Sequence, residues 1–177
     1  MEATEYFLLN KLDLSLIHRK TAGELIRNSR MQPDALIRVI NAANAKQKTR
    51  LLCFCDTFSR IYPEYFSTQL HVFVEWTTNE THETNKRSLT NIFLTFLKSK
   101  EYSFTIDQEN QIIEVCFSWL IDDSLVATKS NCISCLALLA KNHHWIKEAL
   151  LPLIEQMYPQ MPVSFQSRAR EILKKIK

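Results

Sequence analysis

The sequence predicts an all-α chain: a right-handed α-solenoid of about four helix pairs behind an N-terminal helical cap. Three observations carry this. One glycine in 177 residues leaves little for the turns and bulges of a strand-rich fold. The segment Trp76–Lys98, WTTNETHETNKRSLTNIFLTFLK, is echoed 43 positions later by Trp119–Lys141, WLIDDSLVATKSNCISCLALLAK, and a fixed period of this length marks a helical repeat array. Across that period Trp76 falls on Trp119, Lys86 on Lys129 and Lys98 on Lys141. Finally, Leu89, Ile92, Phe93 and Phe96 superpose on Cys132, Cys135, Leu136 and Leu139, each set forming the i, i+3, i+4, i+7 stripe of an amphipathic helix.

The same stripe recurs at Leu51, Phe54, Cys55 and Phe58 and again at Ala169, Ile172, Leu173 and Ile176, so the second helices step by 38, 43 and 37 residues. Taken in order, residues 4–28 hold one or two helices around Gly23 and serve as the cap over 1–30, since an end repeat needs one polar face. Pairs are expected over 33–61, 63–98, 106–141 and 143–177. Pro33 opens a short helix with Leu36, Ile37 and Ile40, proline being accepted in the first turn, and Lys46–Ile61 is its partner. Pro63 starts a helix bearing Phe66, Leu70, Phe73 and Val74, partnered by Ser88–Lys98. After a loop at 100–105, Asp107 is the expected N-cap of a helix reaching Ile121. His143–Met157 follows, where Pro152 should bend or break it, and Ser164 is a candidate cap for the last helix.

Composition limits the function classes. Apolar residues make up 46% and charged residues 23%, ordinary for a globular protein. The glycine scarcity removes the glycine-dependent phosphate loops. No segment approaches a spanning helix of roughly 18 apolar residues, and the acidic start MEATEYFLLNKLD does not read as a secretory signal. Five cysteines in apolar helical contexts read as free thiols of a cytoplasmic protein. A net charge of +3 is too small to imply nucleic acid by itself.

Leu120–Lys141 resembles a HEAT-type unit of the armadillo class: an apolar helix, Asp122-Asp123 at the turn, then a basic residue before a second apolar helix. Ile112–Lys141, His143–Gln160 and Ser167–Lys177 are similar to a family of small uncharacterised bacterial proteins, some of which carry the name adenylosuccinate lyase. That name implies elimination chemistry, and such lyases resemble one another around a Met-Pro-x-Lys-x-Asn-Pro loop. Here Met161-Pro162 is followed by Val163-Ser164-Phe165, so no catalytic residue carries over. The name is read as misassigned, and the chain is expected not to be an enzyme.

Residue patterns that suggest chemistry have structural explanations. Cys132-x-x-Cys135 occupies stripe positions filled by Leu89 and Ile92 one repeat earlier, which makes these thiols core residues instead of metal or redox groups. Cys53 lies off its stripe without evident partners. His143-His144 sits in a turn with no acid or cysteine spaced to complete a site, and Asp122-Asp123 reads as the N-cap of the following helix. Trp76 and Trp119 share a repeat position suited to packing between repeats. No metal and no cofactor is expected.

What remains is a surface. Second helices of helical solenoids line the common binding face, and each one here opens with cations. Lys48, Arg50, Lys86, Arg87, Lys129 and Arg168 are the candidate partner-binding residues, with Lys48, Lys86 and Lys129 at one repeat position. Such a row meets an acidic protein segment or phosphates, or simply keeps the turns soluble. The expectation is a non-catalytic scaffold whose concave face binds a protein. The alternative is a nucleic-acid-binding protein related in shape to the DNA alkylation-repair glycosylases, which resemble HEAT arrays with a basic groove. A base-capturing site of that kind needs aromatic side chains and an acid, and Asp56 is the one acid placed near the exposed side of a second helix before residue 140.

Overall fold

The computed structural model describes residues 2–176, and among these the chain forms eleven α-helices and no strand. The N-terminal cap is two helices, α1 (Glu2–Asn10) and α2 (Leu16–Ser29). The break between them is built by short polar side chains: Asp13 accepts from the Ser15 amide at 2.7 Å and Ser15 accepts from the His18 amide. Gly23 lies inside α2. The helix closes at Arg30, whose φ of 53° is left-handed, while Met31 N–H bonds back to Ile26 O, as helix termini do to satisfy their last carbonyls.

The first pair is α3 (Pro33–Ala42) and α4 (Ala45–Ile61). A capping box opens α4, Asn44 and Gln47 each accepting the other's amide at 3.0 Å, which satisfies two of the orphan donors of a helix start. The helix expected from Pro63 is two short ones, α5 (Pro63–Phe66) and α6 (Leu70–Glu75). The chain tightens between them, with Ser67 Oγ donating to Glu64 O and Gln69 N–H to Phe66 O; such i to i+3 bonds close a helix. The break lets Phe66 meet Phe73 edge to face at 5.2 Å. Their partner α7 (Glu83–Leu97) starts before Ser88.

The next pair is α8 (Ile106–Ile121) and α9 (Val126–Leu139). The N-cap of α8 is Thr105, in a capping box with Gln108, and not Asp107, which sits in the first turn where its charge faces the helix dipole. Asp122 and Asp123 do not cap α9 either. Its N-cap position is Leu125, and the Leu125 amide and the Thr128 hydroxyl both donate to Glu83 of α7, at 2.9 and 3.1 Å. A carboxylate from the preceding pair thus anchors the start of α9.

The last pair is α10 (Trp145–Met157) and α11 (Val163–Ile176), joined through a 3-10 turn at Tyr158–Gln160. Pro152 does not break α10. It is exposed, so the carbonyl left without its amide partner faces water, and Ile146, Leu150 and Ile154 keep one buried stripe. Ser164 falls inside the first turn of α11 and not before it.

Consecutive second helices are neighbours: α2 packs on α4, α4 on α7, α7 on α9 and α9 on α11. The first helices lie against them, α3 on α4, α6 on α7, α8 on α9 and α10 on both α9 and α11. The stripes Leu51, Phe54, Cys55, Phe58, Leu89, Ile92, Phe93, Phe96, Cys132, Cys135, Leu136 and Leu139 are all buried in one continuous core.

Gly23 is where α2 passes closest to α4. A Cβ there would stand 3.1 Å from two ring carbons of Phe58, and Phe58 is itself held by Phe54, Tyr62, Tyr65 and Phe66. Helix propensity favours Gly23→Ala by about 1 kcal/mol, but a ring wedged among four others has no room to yield. Urea unfolding of Gly23→Ala is expected to show a net loss of roughly 1 kcal/mol; a gain would mean that the α2–α4 contact is loose.

Candidate partner-binding surface

The six cations proposed from the sequence do not lie together as one open row. Lys86 departs furthest from expectation. At 6% exposure its Nζ donates to Asp122 Oδ2 at 2.9 Å and Ser124 Oγ at 2.8 Å, lies 3.5 Å from Glu83 Oε1, and sits 5.5 Å from the centroid of the Trp119 ring. Burial opposes the ammonium, yet hydrogen bonding to Asp122 and the charges of Asp122 and Glu83 outweigh it and hold Lys86 above its ordinary value. Burial likewise opposes the Asp122 carboxylate, and its bonds from Ser124 and Lys86 bring it below the usual range.

Lys48 repeats this joint one pair earlier, 5.9 Å from the centroid of Trp76 and 4.0 Å from Glu80. Trp76 is anchored in turn through Nε1–H to Asn41 Oδ1 at 3.1 Å. Lys129 donates to the Asp122 carbonyl at 2.6 Å and so closes the end of α8. The three aligned lysines thus fasten helix ends to one another. Arg50 is half-buried beside Leu14 and His82. Of the six, Arg87 and Arg168 are the exposed ones.

Asp56, the acid relevant to a glycosylase reading, is also committed. It is buried, accepts from Arg60 Nε at 2.9 Å, and accepts from Asn91 Nδ2 at 3.1 Å. Asn91 accepts from Asn131 at 2.9 Å, and Asn131 also donates to Thr90. This chain of bonds crosses α4, α7 and α9. His143, expected to lack an acidic partner, has one: its Nε2 lies 2.7 Å from Glu109 Oε2, both side chains mostly buried. The pair ties the α9–α10 turn back to α8. Among the described residues no three His, Cys, Asp or Glu side chains gather as a metal site.

The feature that sequence reasoning missed is a groove of about 700 Å³ over α9, between α7 and α11. Leu94, Ala137, Leu138 and Ile172 line it, together with Asn131 and Ser134. Around them stand Lys98, Lys141, Lys147, Arg168 and Lys175, against Glu171, the single carboxylate among the described residues there. Glu171 is bound to Arg168 at 2.8 Å, both half-exposed. A signal is present in the sequence, because Lys98 and Lys141 stand 43 positions apart at matching points of two similar segments, which marks register and not exposure. The charge also differs between the two helices of the α8–α9 pair. Helix α8 carries Asp107, Glu109 and Glu114 with no lysine or arginine, while α9 carries Lys129 with no acid.

Two outcomes test these assignments. The folded-state value of Asp122 is lowered, so its contribution is present above the ordinary carboxylate value and fades as pH falls through the folded one. That of Lys86 is raised, so its contribution is full below the ordinary ammonium value and fades as pH rises through the folded one. The stability difference between the native protein and Lys86→Met is therefore expected to be flat from about pH 4 to 10 and to shrink outside it. Because Asp122 is partly hydrated, the plateau should be about 1–3 kcal/mol by urea titration. The second outcome concerns thiols. Cys55, Cys116, Cys132 and Cys135 are buried and Cys53 is half-buried, its thiol pushed up by burial. Thiol titration of the folded protein should find at most slow modification at Cys53, with all five reacting only in denaturant.

Compared with protein-family models, curated proteins and solved structures, the chain matches none.

Proposed function

We propose that this chain is a non-catalytic interaction module, a HEAT-like right-handed solenoid of about four helix pairs whose second helices present a binding face to a protein partner. One observation supports the reading above the others: α4, α7, α9 and α11 neighbour one another in sequence order, and the open side over α9 is rimmed by cations while α8 carries only acids. A predominantly basic surface steers and orients an oppositely charged partner. Repeat proteins use their extended face in this way. The five free cysteines fit a cytoplasmic setting.

The test is site-directed photocrosslinking in cells, with the probe at Ser134 on the groove side of α9 or at Ser118 on the exposed side of α8. A discrete protein adduct is expected from position 134 and not from 118; equal labelling at both, or labelling at 118 alone, overturns the assignment of the face. Fluorescence anisotropy with duplex and single-stranded DNA across a salt series is expected to show no saturable binding. Tight binding that falls steeply with salt would replace the protein partner with nucleic acid.

A further inference from the structure

Building on the reading of the second-helix layer as the partner face, we propose that the groove between α7, α9 and α11 takes an acidic amphipathic helix, a partner segment with one apolar stripe flanked by carboxylates. Three properties of the groove carry this.

The first is charge. Among the described residues, Lys98, Lys141, Lys147, Arg168 and Lys175 face a single side-chain carboxylate, Glu171. That acid is held only by an exposed pair with Arg168, a kind of bond that contributes little in water and exchanges readily for another carboxylate. Lysines at helix C-termini are favoured by the dipole, which accounts for Lys98 and Lys141 singly. It does not account for Arg168 in the first half of α11, nor for Lys147 at the start of α10.

The second is the apolar floor. Leu94, Ala137 and Leu138 are half-buried and meet Ile172 there. A site for inorganic phosphate or a bare acidic chain has no use for such a surface, while an amphipathic helix buries its stripe against one and draws affinity from the area covered.

The third is width. From α7 across α9 to α11 is two interhelical steps of roughly 8–10 Å each, and a helix with side chains measures about 10–12 Å. A helix resting on α9 therefore stays within reach of the long basic side chains of both neighbours. Arg168 and Lys175 stand seven residues apart on α11, two turns along one face, the spacing at which carboxylates recur on a facing helix.

The same residues speak against nucleic acid. Single strands are held by stacking bases on aromatic rings, and among the described residues lining the groove His144 is the one ring, with no Phe, Tyr or Trp beside it. Trp145, exposed on α10, is already stacked on Phe117 at 6.0 Å.

The experiment uses the full chain and a fluorescein-labelled peptide of about 18 residues, five helical turns, with leucines on one stripe and glutamates beside it. Saturable micromolar binding is expected, weakened at least about tenfold in Lys141→Glu/Arg168→Glu. Both side chains are exposed, and circular dichroism confirms that the variant is folded. Replacing the leucines with serine, or the glutamates with lysine, should abolish binding. No binding of the glutamate peptide, equal binding of the lysine peptide, or an unchanged affinity in the double variant overturns the proposal, as does a DNA strand that displaces the peptide and binds more tightly. Competition with the position-134 crosslink separates the two levels. If the crosslink forms and the peptide does not block it, the acidic helix is wrong and the interaction module stands. If neither forms, both fall.

Discussion

Every helix pair in this chain has an apolar side that it cannot bury alone. Leu89, Ile92, Phe93 and Phe96 of α7 are shielded because α4 lies on one side and α9 on the other. The same dependence runs from α2 to α11. Removing one pair would expose the stripes of both neighbours, so the stability of each pair is largely that of its contacts. At the open ends, the N-terminal pair carries exposed Leu14, Leu16 and Ile17, and α11 ends in Lys174 and Lys175.

Polar joints hold those contacts in register. Bonds between residues 34–36 positions apart recur along the chain: Arg27 to the Tyr62 hydroxyl, Tyr65 to the Met31 carbonyl, Trp76 to Asn41, Asn91 to Asp56, Lys86 to Asp122, and His143 with Glu109. Apolar stripes tolerate sliding by a turn, because one leucine covers another about as well as the next. A buried ammonium that reaches Asp122, Ser124 and Glu83 together does not. A shift would leave it desolvated and unpaired, at a cost well above that of a lost surface contact. Two repeats use the same device, a lysine near the start of a second helix lying over the tryptophan that ends a later first helix.

These joints also determine where partner chemistry is available. Cations at one repeat position look like a ligand-binding row when written as a sequence, yet Lys48, Lys86 and Lys129 direct their charge inward at tryptophan rings, carboxylates and a helix-end carbonyl. Lys98 and Lys141, after the ends of α7 and α9, and Lys175, near the end of α11, are exposed beside an apolar floor. Asp56 shows the same reversal: it looks like a free acid on the binding side, and it is the anchor of a network across three helices.

Much of the chain was legible without coordinates. Glycine scarcity and the period linking Trp76–Lys98 to Trp119–Lys141 establish helices, and the i, i+3, i+4, i+7 stripes identify the core residues, cysteines included, because burial follows local periodicity. Caps and interruptions were less legible. Thr105 displaced Asp107, Glu83 displaced Asp122, and Pro152 was tolerated, since each depends on which neighbour or solvent meets a backbone group. The direction of a long charged side chain was not legible at all. A lysine's Nζ lies several ångströms from its Cα and settles wherever carboxylates, rings and carbonyls converge, and most of those come from other helices. The sequence by itself determined the helical periodicity and the apolar core; the tertiary structure alone decided which cations are structural and which remain free to meet another molecule.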